Sequence, residues 1–152
     1  MAYPSLEAAA LDLEKHGKLL RISSEVDPYL EMAEIHRRIF DAGGPALLFE
    51  RVKGSPFRAL SNLYGTIERT EFLFRHTLDK VSKVIELKAD PAALLRKPTR
   101  YLSAPFTALS ALPMRVRSGP VLYGTTTIDQ LPLVKSWPMD GGAFVTLPQV
   151  FT

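Results

Sequence analysis

Between Ser5 and Leu95 the chain switches hydrophobic period repeatedly, from helical spacing to short apolar runs and back. That alternation restricts the fold to a mixed architecture in which helices pack on a sheet. Ser5 is placed to cap a first helix with Leu6, Ala9, Ala10 and Leu13 on one face, and Gly17 ends it. Leu19 to Ile22 reads as a strand. Asp27-Pro28 reads as a helix start, with Met32, Ile35, Ile39 and Phe40 at helical spacing behind it. Gly43-Gly44-Pro45 closes that helix. Ala46 to Phe49 is too short for a helix and is expected as a buried strand. A turn at Lys53 to Pro56 then leads to a return strand over Phe57 to Leu60 and a loop at Asn62 to Gly65.

Thr70 to Glu86 is expected to be helical, because Phe74, Leu78, Val81 and Ile85 recur at spacings of four, three and four. Asp90-Pro91 opens a short helix through Leu95. Prolines then accumulate at Pro98, Pro105, Pro113 and Pro120, which marks a linker from about residue 97. A helical turn is expected at Thr107 to Ala111. Beyond it the texture turns to strand: Met114 to Arg117, Val121 to Ile128, and Ala143 to Val150. Two units are therefore expected, residues 1–112 and 113–152.

Composition narrows the function classes. The sequence of 152 residues contains no cysteine, so disulfides, thiolate metal sites and cysteine nucleophiles are excluded. It carries no signal-peptide pattern at the N-terminus and no apolar run of about 20 residues that would span a bilayer. These features read as a soluble, cytoplasmic protein. The net charge of +3 is spread along the chain rather than gathered in one patch, which argues against a nucleic-acid partner.

Residue patterns alone do not reveal a chemistry. His16, His36 and His76 do not fall at metal-ligand spacing. His16 reads as a favourable charge at the end of the first helix. Gly43-Gly44 and Gly141-Gly142 each precede a strand, the reverse of the strand-to-helix order of a phosphate loop. Gly141 and Gly142 are expected to supply positive backbone angles, and Asp140 to bond the amides of its own turn. No serine lies in a nucleophile elbow.

Three runs together resemble the N-terminal part of UbiD-type decarboxylases. The first is Gly17-Lys18-Leu19-Leu20-Arg21-Ile22 with Glu25-Val26-Asp27-Pro28, Glu31 and Glu34-Ile35. The second is Gly44 to Gly54, closed by Ser61-Asn62-Leu63-Tyr64-Gly65 and Arg69. The third is Leu131-Pro132 followed by Asp140-Gly141-Gly142-Ala143-Phe144-Val145-Thr146. The resemblance implies an α/β (α+β) N-terminal mixed sheet flanked by helices, followed by the first strands of a flavin-binding split barrel. It also implies non-oxidative, reversible decarboxylation of aromatic or α,β-unsaturated carboxylic acids. Prenylated FMN would act as electron sink, with a divalent metal, usually manganese, holding its phosphate. A flavin prenyltransferase would supply the cofactor, and the full-length enzyme would be a homo-oligomer.

The family's metal and acid/base residues follow the Asp-Gly-Gly strand, beyond Thr152. No catalytic or metal residue is therefore carried over, and Thr146 is the one candidate to line the flavin pocket. The chain is expected to be a fragment, inactive alone and without bound cofactor. The alternative is a free-standing, non-enzymatic module that docks onto a larger decarboxylase or carboxylase subunit.

Overall fold

The computed structural model describes residues 3–96, 98–101, 103, 105–106, 109, 112, 117–119 and 122–143. The fold is mixed α/β. The described chain forms two compact units, one of residues 71–124 and one joining residues 3–70 to those from 125 onward.

In the unit that contains residues 3–70, the sheet is three-stranded in the order β1 (Leu19–Val26), β2 (Ala46–Val52), β3 (Ala59–Ser61). β1 runs parallel to β2, from Leu19 opposite Ala46 to Val26 opposite Val52, with an irregularity between Ile22 and Glu25. β3 returns antiparallel, Ala59 opposite Phe49 and Ser61 opposite Leu47. The return strand thus begins two residues later than its apolar run suggested.

Helix α1 (Leu6–Lys15) starts where Ser5 Oγ accepts the Ala8 amide at 3.1 Å, and it buries Ala9, Ala10 and Leu13. It ends in a Schellman motif: Gly17 sits at φ 67°, its amide on Glu14, and the Lys18 amide reaches Leu13 at 2.8 Å. Helix α2 (Glu31–Asp41) connects β1 to β2. The core on its side of the sheet is Val26, Met32, Leu47, Phe49 and Val52, with Ile22, Ile35, Ile39, Ala59 and Val134 packed around them. Because side chains alternate along a strand, Leu48 faces the opposite side.

The start of α2 corrects the sequence reading. Asp27 does not cap a helix at Pro28. Its carboxylate instead accepts from Lys53 Nζ at 2.7 Å and from the Tyr29 amide at 2.9 Å. Leu30, at φ 67° and ψ −39°, then closes a tight turn in which the Glu31 amide reaches the Tyr29 carbonyl at 2.8 Å. A positive-φ γ-turn is strained for a side-chain-bearing residue, and the helix follows it.

The region expected to be helical over Thr70–Glu86 forms two helices, α3 (Ile67–Phe74) and α4 (Leu78–Ala89). Thr77 breaks it: both its amide, at 2.8 Å, and its hydroxyl, at 3.0 Å, fold back onto the Phe74 carbonyl. A short α5 (Ala93–Arg96) and a 3-10 turn at Pro98–Tyr101 follow. The expected strand at Val121–Ile128 is not formed among the described residues: the Leu122 amide turns back onto the Gly119 carbonyl at 2.8 Å, Thr126 Oγ1 donates to Gln130 Oε1 at 2.7 Å, and a 3-10 turn follows at Ile128–Gln130. The helical turn at Thr107–Ala111 and the strands at Met114–Arg117 and Ala143–Val150 fall largely outside the described residues.

Candidate functional site

The residues that carried the second run form a polar clamp at the C-terminal end of β3. Asn62 adopts φ 57°, a left-handed conformation that asparagine tolerates. Its side-chain amide donates to the Gly44 and Pro45 carbonyls at 3.2 and 2.8 Å. Arg69, on the first turns of α3, is buried and donates to three carbonyls: Leu63 at 3.0 Å, Gly44 at 2.9 Å and Asn62 at 2.6 Å. Burial lowers its pKa, yet a guanidinium stays charged in proteins. Gly65 completes the clamp. A Cβ there would lie 1.8 Å from Asn62 Oδ1 and 2.8 Å from Arg69 Nη2. The clamp joins the turn after α2 to the loop after β3, so these residues hold architecture rather than carry out chemistry.

The third run lies against the same unit as a strap. Lys135 and Tyr29 form a parallel bridge. The Leu30 amide donates to the Lys135 carbonyl and the Lys135 amide to the Pro28 carbonyl, each at 3.0 Å. The Lys135 ammonium lies 5.4 Å from the Tyr29 ring centroid, a cation–π distance. Val134 packs on the core. Beyond the strap, Asp140 is buried; its carboxylate accepts the Ser136 amide at 3.2 Å and its own amide reaches Trp137 at 3.0 Å. Asp140 therefore bonds its own turn as expected. Gly141 and Gly142 depart from expectation: neither takes a positive φ, and a Cβ at either would meet open space.

A groove of about 800 Å³ runs between α2, β3 and the strap. Its walls include Met32, Leu131, Val134 and Trp137. At its base His36 Nδ1 lies 2.6 Å from Ser61 Oγ, and the His36 ring stacks on Phe40 with centroids 6.2 Å apart. This contact pins α2 to β3. The groove's arginines are already engaged, Arg58 by Glu7 at 2.9 Å and Arg37 by Glu34 and Asp41. Glu34 binds Arg37 and Arg38 together, and those hydrogen bonds hold its carboxyl down at about 2. A second hollow, of about 290 Å³, lies between α1 and Leu48, Phe57 and Leu60.

The sequence-nominated residues separate cleanly. Thr146 lies outside the described residues. His16 caps α1, its Nδ1 2.8 Å from the Asp12 carbonyl, and His76 is exposed. Among the described residues no three His, Asp or Glu side chains gather as a metal set. With the groove arginines paired, the described residues do not by themselves fit a metal-held flavin phosphate. Sequence reasoning missed the clamp role of Arg69 and the Tyr29–Lys135 bridge. The first left one local signal, an arginine four residues after the loop glycine. The second joins positions 106 residues apart (135 − 29) and leaves no local pattern.

Comparison with known proteins gives this architecture a family. Residues 10–105 match the model of the 3-octaprenyl-4-hydroxybenzoate carboxy-lyase N-terminal domain, UbiD_N. A protein of Chlamydia trachomatis serovar D is 41% identical over 152 aligned residues, covering 97% of this chain and 26% of that protein. A 4-hydroxybenzoate decarboxylase subunit of Chlamydia pneumoniae is 41% identical over 138 residues, covering 89% of this chain and 24% of the relative. A solved structure of an evolved dimeric form of the UbiD-class enzyme HmfF from Pelotomaculum thermopropionicum, in complex with prFMN, is 31% identical. It aligns with a TM-score of 0.45 over 54% of this chain and 20% of that one. The chain spans about a quarter of the length of the curated relatives it matches. With the family model covering well over half its residues, the chain belongs to the UbiD family, as a carboxy-lyase N-terminal domain.

Proposed function

We propose that this decarboxylase-family module is the amino-terminal scaffold of a non-oxidative decarboxylase of aromatic or α,β-unsaturated carboxylic acids that uses prenylated FMN. The observation that carries the reading is the strap. The bridge between Tyr29 and Lys135 anchors the Asp140-Gly141-Gly142 turn on the N-terminal sheet layer. The chain then continues into Phe144-Val145-Thr146 from a fixed starting point. On this reading residues 113–152 begin a flavin-binding β domain and Thr146 lines the flavin pocket. The cofactor phosphate, a divalent metal such as manganese and the acid/base groups are held by polypeptide that the relatives carry beyond the matched quarter. A flavin prenyltransferase supplies the cofactor, and the complete enzyme assembles as a homo-oligomer in the cytoplasm. The module alone binds neither cofactor nor metal tightly and releases no CO2.

The test joins this chain to the remainder of the Chlamydia pneumoniae relative, in place of that protein's matched quarter. Loaded with prenylated FMN and manganese, the joined protein is expected to release CO2 from 4-hydroxybenzoate, while the separate chain does not. A folded, cofactor-loaded joined protein without turnover overturns the reading, as does micromolar binding of prenylated FMN to the separate chain by calorimetry. The relative's description as a subunit favours one variant, in which the module acts from a separate polypeptide. Turnover restored by adding this chain in trans would distinguish it.

A further inference from the structure

Helix α4 is laid down inside out. At about 100° per residue, Leu78, Val81, Val84 and Ile85 fall on one side, with Asp79, Lys83 and Glu86 opposite. An amphipathic helix ordinarily turns the first set inward. Here those four side chains are 42%, 51%, 42% and 61% exposed, and no residue of α4 is buried. The half-buried positions are Lys83, Glu86 and Leu87. Glu86 explains the orientation. Its carboxylate accepts from Arg100 Nη2 at 2.9 Å and from the hydroxyl of buried Tyr101 at 2.8 Å, which holds the polar side inward. Lys83 turns back onto Asp79 at 2.7 Å. The aliphatic stripe, about 18 Å long for a helix of this length, is left facing outward.

We propose that this stripe docks on the polypeptide that UbiD-family proteins carry beyond the matched quarter, through an apolar surface edged with carboxylates. The inference rests on the proposed decarboxylase function. The relatives are about four times as long as the matched region, so a large protein surface accompanies this module in them. The stripe has the i, i+3, i+4 spacing with which a helix seats in an apolar groove. Lys80 flanks the stripe and Lys88 lies on it at its C-terminal end, and neither forms an ion pair among the described residues. Those lysines favour an acidic rim on the partner and oppose a second copy of the same stripe, which would set lysine near lysine. The four stripe residues include no aromatic side chain of the kind that anchors interfacial helices in lipid.

Hydroxyl-radical footprinting of Val81 and Ile85 tests the proposal, in this chain alone and in the full-length protein joined from the Chlamydia pneumoniae relative. Modification of both is expected to fall at least tenfold in the full-length protein. The double variant Val81→Lys, Ile85→Lys is expected to leave the melting of the separate chain unchanged, because both positions are exposed there, and to lower that of the full-length protein by several degrees. Equal modification in the two proteins overturns the proposal, as does equal loss of stability. So does binding of the separate chain to phosphatidylglycerol vesicles, or its dimerisation, if either is abolished by the same double variant. CO2 release with an unprotected stripe refutes the docking alone, and a protected stripe without turnover refutes the decarboxylase reading alone.

Discussion

Gly65 is the residue on which the clamp depends most narrowly. Asn62 Oδ1 occupies the space a side chain would need, and it has no hydrogen-bond partner among the described residues. Gly65→Ala forces Asn62 or Arg69 out of place and is expected to cost about 1–3 kcal/mol in urea unfolding, the usual range for overpacking. The sequence pointed to Asn62, Gly65 and Arg69 through resemblance; the one local signal, an arginine four residues after the loop glycine, does not say which carbonyls the guanidinium serves. Glu34 belongs to the same scale. Its carboxyl is held at about 2, against an ordinary value of 4.5, first by its hydrogen bond to Arg37 and then by that to Arg38. A depressed folded-state pKa contributes stability above the unfolded value and loses it as pH falls toward the folded one. The ion-pair cluster on α2 is therefore expected to weaken between pH 4.5 and about 2. Because Glu34 is exposed, high salt should shrink the effect. Carboxyl NMR titration of Glu34 checks it: a midpoint near 4.5 would contradict the pairing.

Elements were legible where local chemistry decides them and misread where it is captured from afar. Ser5 and Gly17 bracket α1 as their residue types dictate. Ser5→Ala is accordingly expected to cost about 1 kcal/mol by removing the cap bond to the Ala8 amide, read from the urea midpoint at unchanged slope. Asp27-Pro28 has the same capping grammar, but Lys53, 26 residues away, takes the carboxylate and the helix starts later. The helical region over Thr70–Glu86 was periodic throughout; Thr77 divides it by satisfying itself on Phe74. The glycine pair at Gly141-Gly142 looked like a positive-φ turn, yet the turn is made by Asp140 bonding back to Ser136. In each case the spacing was read correctly and the competing hydrogen bond was not visible in it.

At the scale of the molecule, the three runs that resembled one family prove to meet in one unit. The first supplies β1 and the start of α2, the second β2, β3 and the clamp, and the third the strap across Tyr29. Phe49 sits at the centre of that unit, fully buried, and Phe49→Ala is expected to cost about 3–5 kcal/mol and to loosen clamp and strap together. Alternation of period was enough to give the α/β class; the return of the tail onto the connection between β1 and α2 was not, since backbone pairing at long range carries no composition of its own. The central claim is that the tail is strapped to the N-terminal sheet layer and so fixes the Asp-Gly-Gly turn. Native-state amide hydrogen exchange at Leu30 and Lys135 tests it most directly. Both amides are expected to exchange slowly, within about tenfold of each other and far below Thr125–Thr127, which lies outside any helix or strand. Exchange of both at unstructured-chain rates, with β2 still protected, would contradict the account.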